Sequence, residues 1–198
     1  MRKITAFTLV TLDGVMQAPA RPDEDRRGGF ELGGWATPFN DPESGAAMAR
    51  AGASSALLFG RRTYEDFYDV WPSRVDNPFT AILNSMTKYV VSRTLSEPLP
   101  WQNSILVSSA GTDGVRRLKS EPGPDLVILG SGELLRSLTA ARLIDQQILL
   151  IHPLLLGSGA KLFQGGSATT GLRLVDSKAT ASGVIVATYE AARETVSA

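Results

Sequence analysis

The sequence predicts an α/β fold with a doubly wound, mostly parallel sheet and a C-terminal antiparallel hairpin. Two apolar runs, residues 56–59 and 126–129, each end at a glycine and continue with helical spacing, as a strand, turn and helix do. Residues 183–190 alternate apolar and polar positions with no helical pattern before them, which predicts an antiparallel pair with residues 172–178. Residues 148–157 are apolar almost throughout and fit a strand that is buried on both faces.

The other elements follow in chain order from the same signals. A strand is predicted near residues 3–10, and Asp41 followed by Pro42 predicts an N-cap and the start of a helix that runs to about Gly52. The remaining predicted elements are helices at 63–68, 76–84 and 112–120, a helix ending near 141, and strands at 88–91 and 104–107. Neither a linker nor a change in composition divides the 198 residues, so we expect one domain spanning residues 1–198.

The segment between the first strand and the first helix, to about Asn40, is long and rich in proline, glycine and charge. Its composition predicts a surface loop, and loops of this length in compact domains often cover or form binding sites. Disorder is the alternative interpretation.

Composition excludes several kinds of chemistry. The chain has no cysteine, which rules out disulfides, thiolate catalysis and cysteine-bound metal, and one histidine does not supply a histidine metal cluster. We therefore expect no metal. Twenty basic residues balance 20 acidic ones, so nothing points to nucleic acid or a membrane surface as partner. The amino terminus starts as a strand without a signal-peptide pattern, from which we expect a cytoplasmic protein.

Three predicted strand ends carry residues suited to binding phosphate. Gly130-Ser131-Gly132 and Gly60-Arg61-Arg62-Thr63 each join a strand to a helix, and Ser92-Arg93-Thr94 follows a third strand. Bare backbone, a helix N-terminus and arginine side chains all favour an anion. A plain strand-to-helix connection with solvated arginines is the alternative for any one of them. Together they predict a dinucleotide site at the carboxyl ends of the strands.

Several motifs in a fixed order resemble one family. They are Leu12-Asp13-Gly14, residues 60–65, 89–95 and 130–134, Leu143-Ile144-Asp145, and the segment 152–163. The chain is similar to the dihydrofolate reductase-like family that contains the reductase domain of bacterial riboflavin biosynthesis, the RibD C-terminal type. It is more similar to the small stand-alone bacterial members of that family. The resemblance covers nearly the whole chain.

The resemblance implies a dihydrofolate reductase-type fold, an NADPH site along the strand ends, and a homodimer. The cofactor phosphates are then assigned to Gly60, Arg61, Arg62 and Thr63, the adenosine 2′-phosphate region to Ser92, Arg93 and Thr94, and the pyrophosphate to Gly130, Ser131, Gly132, Glu133 and Leu134. An acidic residue that would bind a free 2′-hydroxyl is missing beside Arg93, which favours NADPH over NADH. The dinucleotide fingerprint of the doubly wound fold is incomplete, because Leu135 stands at its third glycine position.

The expected reaction is hydride transfer from the cofactor to a C=N carbon of a small pteridine-like or pyrimidine-like heterocycle. Asp13 is the first candidate for delivering the proton, with Glu43 or a bound water as the other sources; the alternative for Asp13 is a turn-forming residue. Asp41 and Trp71 are expected to bind substrate, although Asp41 also fits a helix cap and Trp71 fits ordinary packing. His152 is interpreted as a core or interface histidine, with a catalytic role as the alternative.

A second class of function stays open at this point. The chain lacks the signature of a zinc deaminase, which accompanies the reductase in riboflavin biosynthesis, so its substrate need not be that pathway's intermediate. A dimeric nucleotide-binding protein that has lost catalysis is the alternative to a reductase.

Overall fold

The structure is a computed structural model that describes residues 1–77, 79–107, 111–163 and 171–192. The chain forms two compact units, the first from residues 1–4 and 52–143 and the second from residues 5–51 and 144–198. Each unit is described by itself below. The expectation of one domain stays a prediction.

The described residues form eight strands and five α-helices. In chain order these are β1 Ile4–Thr11, α1 Pro42–Gly52, β2 Ala56–Gly60, α2 Arg61–Val70, α3 Phe79–Ser85, β3 Lys88–Val91, β4 Ser104–Val107, α4 Thr112–Ser120, β5 Leu126–Leu129, α5 Gly132–Ala140, β6 Gln146–His152, β7 Leu172–Ala179 and β8 Ile185–Ala191. Their types and order match the patterns in the sequence, and the predicted mixed, mostly parallel α/β fold is confirmed.

The first unit is built on four parallel strands in the order β4-β3-β2-β5. Leucine, valine, isoleucine and phenylalanine dominate β2 and β5, whose side chains are almost all inaccessible to water. Such runs stabilise a sheet that helices cover, because each buried aliphatic side chain contributes about 1.5–3 kcal/mol. Helix side chains complete this core, namely Tyr64, Leu83, Val115, Leu118, Leu135 and Leu138.

Three cations are buried in the first unit, and each binds backbone oxygens that follow or end a helix. Lys88 is fully buried and its Nζ donates to the carbonyls of Asn84, Met86 and Gln102 at 3.3, 2.6 and 3.1 Å. The Nζ of Lys119 donates to the Leu143 carbonyl beyond α5 at 2.9 Å. Positive charge near a helix C-terminus is favourable, because it meets the negative end of the helix dipole.

Arg2 is the third of these cations. Its guanidinium is buried, contacts the face of Tyr89 at 5.0 Å, and donates to the Pro122 carbonyl beyond α4 at 3.4 Å. Gly123 is required here, since a Cβ at this position would overlap the Arg2 guanidinium. Sequence patterns gave no sign of these buried cations.

The second unit contains the strands β1, β6, β8 and β7 in that order. β1 and β6 are parallel, whereas β8 pairs antiparallel with both β6 and β7. The predicted C-terminal antiparallel pair is therefore confirmed. Every residue of β7 is exposed, so this edge strand shows apolar side chains to solvent.

The segment between β1 and α1 is ordered by its own contacts, contrary to the alternative of disorder. Val15, Ala18, Phe30 and Trp35 form a buried cluster within it, together with Ala36. Gln17 fixes the backbone around this cluster: its amide donates to two carbonyls of the segment, its Oε1 accepts the N–H of Ala160, and its carbonyl accepts the Trp35 indole N–H at 2.7 Å. Gln17 links positions far apart in sequence, so no local pattern marks it.

Several predicted boundaries differ from the structure, and three of them have a clear cause or position. α2 begins at Arg61 rather than at residue 63, because β2 passes directly into the helix at Gly60. β6 ends at His152, since Pro153 follows and cannot donate to a neighbouring strand. The helix predicted over 76–84 starts at Phe79, and Pro78 lies outside the described residues.

Within the ranges that the structure describes, no helix is both long enough and apolar enough to cross a membrane. The same part of the chain contains no group of three or more acidic or histidine side chains arranged to hold a metal ion.

Candidate cofactor site and acidic residues

The carboxyl ends of the strands in the first unit lie level with one another. Gly60 at the end of β2 is paired with Val91 at the end of β3. Leu57 is paired with Val127 in β5, so Gly60 and Gly130 lie equally far beyond that pair. The register therefore brings the residues after three predicted strands to one edge of the sheet, as the sequence predicts.

Gly60 leaves the backbone bare where α2 begins. Its φ is −79°, which any residue adopts, and an added Cβ would make only ordinary contacts of 3.5 Å or more with Leu134 and Ser131. Neither conformation nor packing requires glycine there. No side chain caps the N-terminus of α2, and the missing Cβ keeps its N–H groups accessible to an anion.

The turn between β5 and α5 lies against the start of α2. Gly130 and Ser131 both have left-handed backbone conformations, at φ values of 74° and 61°, so the turn bends sharply before Gly132 opens α5. The Gly60 N–H donates to the Ser131 Oγ at 3.0 Å. A Cβ on Gly130 would lie 3.7 Å from the Thr63 methyl group. The two helices thus begin side by side, and no side chain caps α5 either.

Both arginines at the start of α2 are ion-paired. Arg61 donates to both carboxylate oxygens of Glu65, one turn further along the helix, at 3.0 and 3.1 Å. Arg62 donates to Glu133 in the first turn of α5 at 2.7 Å. Glu65 was missed as a partner, although its spacing of four residues from Arg61 is a recognisable signal.

The residues after β3 form a compact turn. The buried Ser92 hydroxyl accepts the N–H groups of Thr94 and Leu95 at 3.1 and 3.0 Å. Arg93 is exposed, and among the residues that the structure describes it has no hydrogen-bond or ion-pair partner. Ser92 therefore shapes the turn, and Arg93 is the side chain of this turn that is left to bind a ligand.

Trp71 follows α2 and is half-buried. Its ring lies 6.3 Å from the Phe67 ring, and the guanidinium of Arg74 covers it at 5.4 Å. Asp76 orients that guanidinium by accepting its Nε–H at 2.9 Å. The predicted role of Trp71 in binding substrate stays a prediction.

Asp13 lies in the second unit, just after β1, and accepts three hydrogen bonds. Its carboxylate accepts the Thr11 hydroxyl at 2.5 Å and the N–H groups of Leu156 and Gly157 at 3.2 and 2.9 Å. The Thr11 bond, followed by the two backbone donors, lowers the pKa of Asp13 to about 2. A carboxylate that stays ionised at neutral pH holds no proton to donate. These contacts favour the turn-forming interpretation of Asp13 over a role as general acid.

Asp41 and Glu43 have different partners from Asp13. Asp41 caps α1 by accepting the Glu43 N–H at 2.8 Å, as its alternative interpretation predicts, and also accepts the Ser182 N–H at 3.4 Å. The Glu43 carboxylate binds Lys178 at 2.8 Å and Arg50 at 3.2 Å, and these bonds lower its pKa. Asp41 connects the start of α1 to Ser182 in the hairpin. Glu43 connects α1 to Lys178 of β7 and to Arg50 of the same helix. Their roles in substrate binding and catalysis stay predictions.

His152 is packed as a neutral core residue. Its Nδ1 lies 3.0 Å from the Leu150 carbonyl and 3.2 Å from the Val10 carbonyl, so the proton belongs on Nδ1. The rings of Trp35 and Phe39 meet it edge-on at 5.1 and 5.7 Å, and burial lowers its pKa. This environment matches a core histidine.

We expect Asp13→Asn to lower stability at neutral pH and to lose that effect in acid. The folded-state pKa of Asp13 lies below its ordinary value, so the ionised carboxylate stabilises the fold above about pH 4. That contribution is lost progressively as the pH falls from about 4 through about 2, so the difference between the two proteins narrows in acid. Urea unfolding at a series of pH values measures the difference. A difference that does not change with pH would contradict the contacts described for Asp13.

Comparison with known proteins places these features in a family. A family model for the RibD C-terminal domain matches residues 2–186. Two proteins of Bacillus subtilis (strain 168) are similar in sequence: YyaP is 29% identical over 138 residues, covering 67% of this chain and 72% of YyaP. YwjB is 31% identical over 136 residues, covering 60% of this chain and 74% of YwjB.

Solved structures share the fold. A protein from Shewanella sp. PV-4, named for riboflavin biosynthesis, has a TM-score of 0.73 at 22% identity and covers 96% of this chain and 99% of its own. A pyrimidine reductase-like protein from Corynebacterium diphtheriae NCTC has a TM-score of 0.64 at 15% identity, with coverages of 98% and 93%. Dihydrofolate reductase from Enterococcus faecalis, complexed with NADP(H), has a TM-score of 0.59 at 14% identity, with coverages of 96% and 96%.

Proposed function

Because the chain belongs to the RibD C-terminal domain family, we propose that it is an NADPH-dependent reductase of a small pteridine-like or pyrimidine-like heterocycle. The observation that carries the proposal is the pair of helix N-termini, α2 and α5, which begin side by side at the carboxyl edge of a parallel sheet. Bound NADPH would supply the hydride for a C=N carbon of the substrate.

The residues at this edge fit a dinucleotide. Gly130 and Gly132 carry no side chain in the turn before α5, and helices without side-chain caps offer N–H groups to phosphate oxygens. Arg61 and Arg62 would donate charge-assisted hydrogen bonds to the phosphates after these displace the Glu65 and Glu133 carboxylates. Thr63 adds a hydroxyl in the first turn of α2, which completes the set that we assign to the phosphates.

Selectivity for NADPH is assigned to the turn after β3. Arg93 is exposed and without a partner among the described residues, and no acidic side chain in Ser92-Arg93-Thr94 would bind a free ribose hydroxyl. A guanidinium offers two parallel donors to a phosphate monoester, which NADH lacks. We therefore expect NADPH to bind more tightly than NADH.

Arg93→Ala should weaken NADPH binding about tenfold or more, since a charge-assisted bond to phosphate contributes about 1.5–3 kcal/mol. NADH affinity should stay nearly constant, because that cofactor has no 2′-phosphate. Arg93→Lys keeps the charge but loses the planar pair of donors, so its NADPH affinity should lie between those of the wild type and Arg93→Ala. Isothermal titration calorimetry with both cofactors measures these affinities. Equal losses for NADPH and NADH would exclude Arg93 from the 2′-phosphate site.

The bonding of the two candidate proton donors favours a second candidate function. Asp13 is ionised and accepts three hydrogen bonds, and Glu43 is bound by two cations. If neither delivers a proton, an ordered water does so, or the protein is an inactive dimeric nucleotide-binding protein. A panel of pteridines and pyrimidines, followed at the absorbance of the reduced nicotinamide, separates the two. Cofactor binding without oxidation by any heterocycle would favour the binding protein.

We also propose a homodimer that uses the edge strand β7. Leu172, Leu174 and Val175 are exposed on this strand, whereas Ile148 to Leu150 of β6 are already buried within the chain. An exposed edge with apolar side chains pairs readily with another strand. Light scattering should give a dimer at micromolar concentration, and Leu174→Lys should shift it toward monomer. A monomeric wild-type protein would overturn this assignment.

A further inference from the structure

The ion pair between Arg62 and Glu133 connects the two turns to which we assign the cofactor phosphates. Arg62 lies in the first turn of α2 and Glu133 in the first turn of α5, 71 positions apart in the chain. Both side chains are largely exposed, with 50% and 71% of their surfaces accessible to solvent. Exposed pairs contribute little to stability, generally less than about 1 kcal/mol, so packing gives no strong reason to place a carboxylate here.

A carboxylate at this position meets the same groups that a phosphate would meet. Glu133 places its negative charge at the N-terminus of α5 and accepts a hydrogen bond from an arginine at the N-terminus of α2. Each of these interactions stabilises an anion. The Glu133 carboxylate is therefore an internal counter-ion for the edge where the two helices begin.

The second arginine pair differs in one respect. Arg61 and Glu65 belong to the same helix, and Glu65 lies one turn away from the N-terminus of α2. That pair stays within one helix and does not connect the two turns. The Arg62 to Glu133 pair runs from one turn to the other.

We infer that Glu133 competes with the diphosphate of the cofactor for Arg62 and for the N-terminus of α5, and so limits the affinity of the site for diphosphates. The inference rests on the proposed NADPH site. When the diphosphate binds, the Glu133 carboxylate leaves Arg62, and its charge repels the incoming anion. Glu133 is thus a specificity-determining residue whose side chain opposes the ligand, whatever its backbone contributes.

The test is Glu133→Gln, which keeps the size of the side chain and removes its charge. Calorimetry with NADPH and with inorganic pyrophosphate should give about three- to tenfold tighter binding than wild type at low ionic strength, as expected for one like charge removed at this range. The gain should shrink as salt is added, because the repulsion is screened. Asp69→Asn is the matched control, since it removes one exposed charge from the far end of α2 and should change neither affinity.

A double-mutant cycle ties the effect to Arg62. Glu133→Gln should tighten binding less in an Arg62→Ala background than in the wild type, because the arginine is no longer released. Unchanged or weaker pyrophosphate and NADPH binding by Glu133→Gln would overturn the inference, as would a gain that Asp69→Asn reproduces.

The two ligands separate this inference from the proposed function. Wild-type protein that binds pyrophosphate but not NADPH, with a gain in Glu133→Gln, would refute the NADPH site and retain the competition by Glu133. Wild-type protein that binds NADPH without any gain in Glu133→Gln would refute the competition alone. Failure of every variant to bind either ligand would refute both.

Discussion

Replacing Trp101 with alanine is expected to lower the free energy of unfolding by about 3–5 kcal/mol, the usual cost of removing a large buried aromatic side chain. Trp101 is 2% exposed and packs on the rings of Tyr64 and Tyr68 at 6.2 and 6.5 Å. Its indole N–H donates to Asn84 at 2.7 Å, and the Lys88 ammonium lies 4.5 Å from its ring. The substitution leaves a cavity, an unpaired amide oxygen and a buried cation without its aromatic contact.

Trp71→Ala is the matched control, because Trp71 is only half-buried and its ring is covered by an exposed arginine. It should cost well under half as much as Trp101→Ala. Urea unfolding followed by circular dichroism gives both values. Equal effects of the two substitutions would mean that the Trp101 environment is not the tightly packed one described here.

The Trp101 substitution should also affect the start of α2, to which the proposed function assigns cofactor phosphates. Tyr64 belongs to the first turns of α2, and its hydroxyl accepts the Trp101 backbone N–H at 3.0 Å. Losing the ring on one side of Tyr64 loosens the helix that presents Arg61 and Arg62. Binding of NADPH should therefore weaken in Trp101→Ala under conditions where the protein is still folded.

Gly159→Ala is expected to cost about 3 kcal/mol or more in the second unit. Gly159 has a φ of 107°, which disfavours any side chain, and an added Cβ would lie 2.7 Å from the Phe30 ring and 2.8 Å from the Val15 side chain. Backbone strain and overpacking each cost about 1–3 kcal/mol. Both contacts belong to the buried cluster that orders the segment before α1.

Gly157→Ala provides the control two residues away. Gly157 also has a positive φ, at 72°, but a Cβ there meets no atom within 4 Å, so only about 1–2 kcal/mol of strain is expected. Thermal unfolding measures the overall cost, and limited trypsin cleavage at Arg26 and Arg27 reports on the segment itself. Cleavage should be faster in Gly159→Ala alone. Equal cleavage in both variants would show that Phe30 and Val15 do not hold the segment.

The sequence predicted the elements whose signals are local. Apolar runs that end at glycine identified β2 and β5, and Asp41 with Pro42 identified the start of α1. The shared edge of the three groups of candidate phosphate-binding residues could be predicted for the same reason, because each group follows a strand and parallel strands bring their carboxyl ends together. The start of α2 was placed two residues late because Gly60 looked like a turn, whereas the strand passes straight into the helix.

What the sequence did not predict depends on contacts between distant positions. Asp13 accepts N–H groups from residues 143 and 144 positions away. The Gln17 side chain likewise accepts the N–H of Ala160, which is 143 positions away. A short pattern around Asp13 shows only an Asp-Gly turn, so its hydrogen-bonded carboxylate and low pKa became visible in the structure alone. The buried cluster within the segment before α1 was not predicted for the same reason, since Phe30 and Trp35 are isolated apolar residues in a polar stretch.

The buried cations of the first unit imply that charge is balanced in different ways at the amino and carboxyl ends of its strands. At the amino ends of the strands, Lys88, Lys119 and Arg2 bind carbonyls that follow helices, and these charges are a permanent part of the chain. At the carboxyl ends, Glu65 and Glu133 already pair with the arginines, and on the proposed function the nucleotide brings further negative charge that displaces them. Nucleotide binding then raises the free energy of unfolding, because a ligand that binds only the native state stabilises that state by mass action. The cell's supply of nucleotide would thereby set how long this half of the protein survives heat and proteases, independently of whether a hydride is ever transferred.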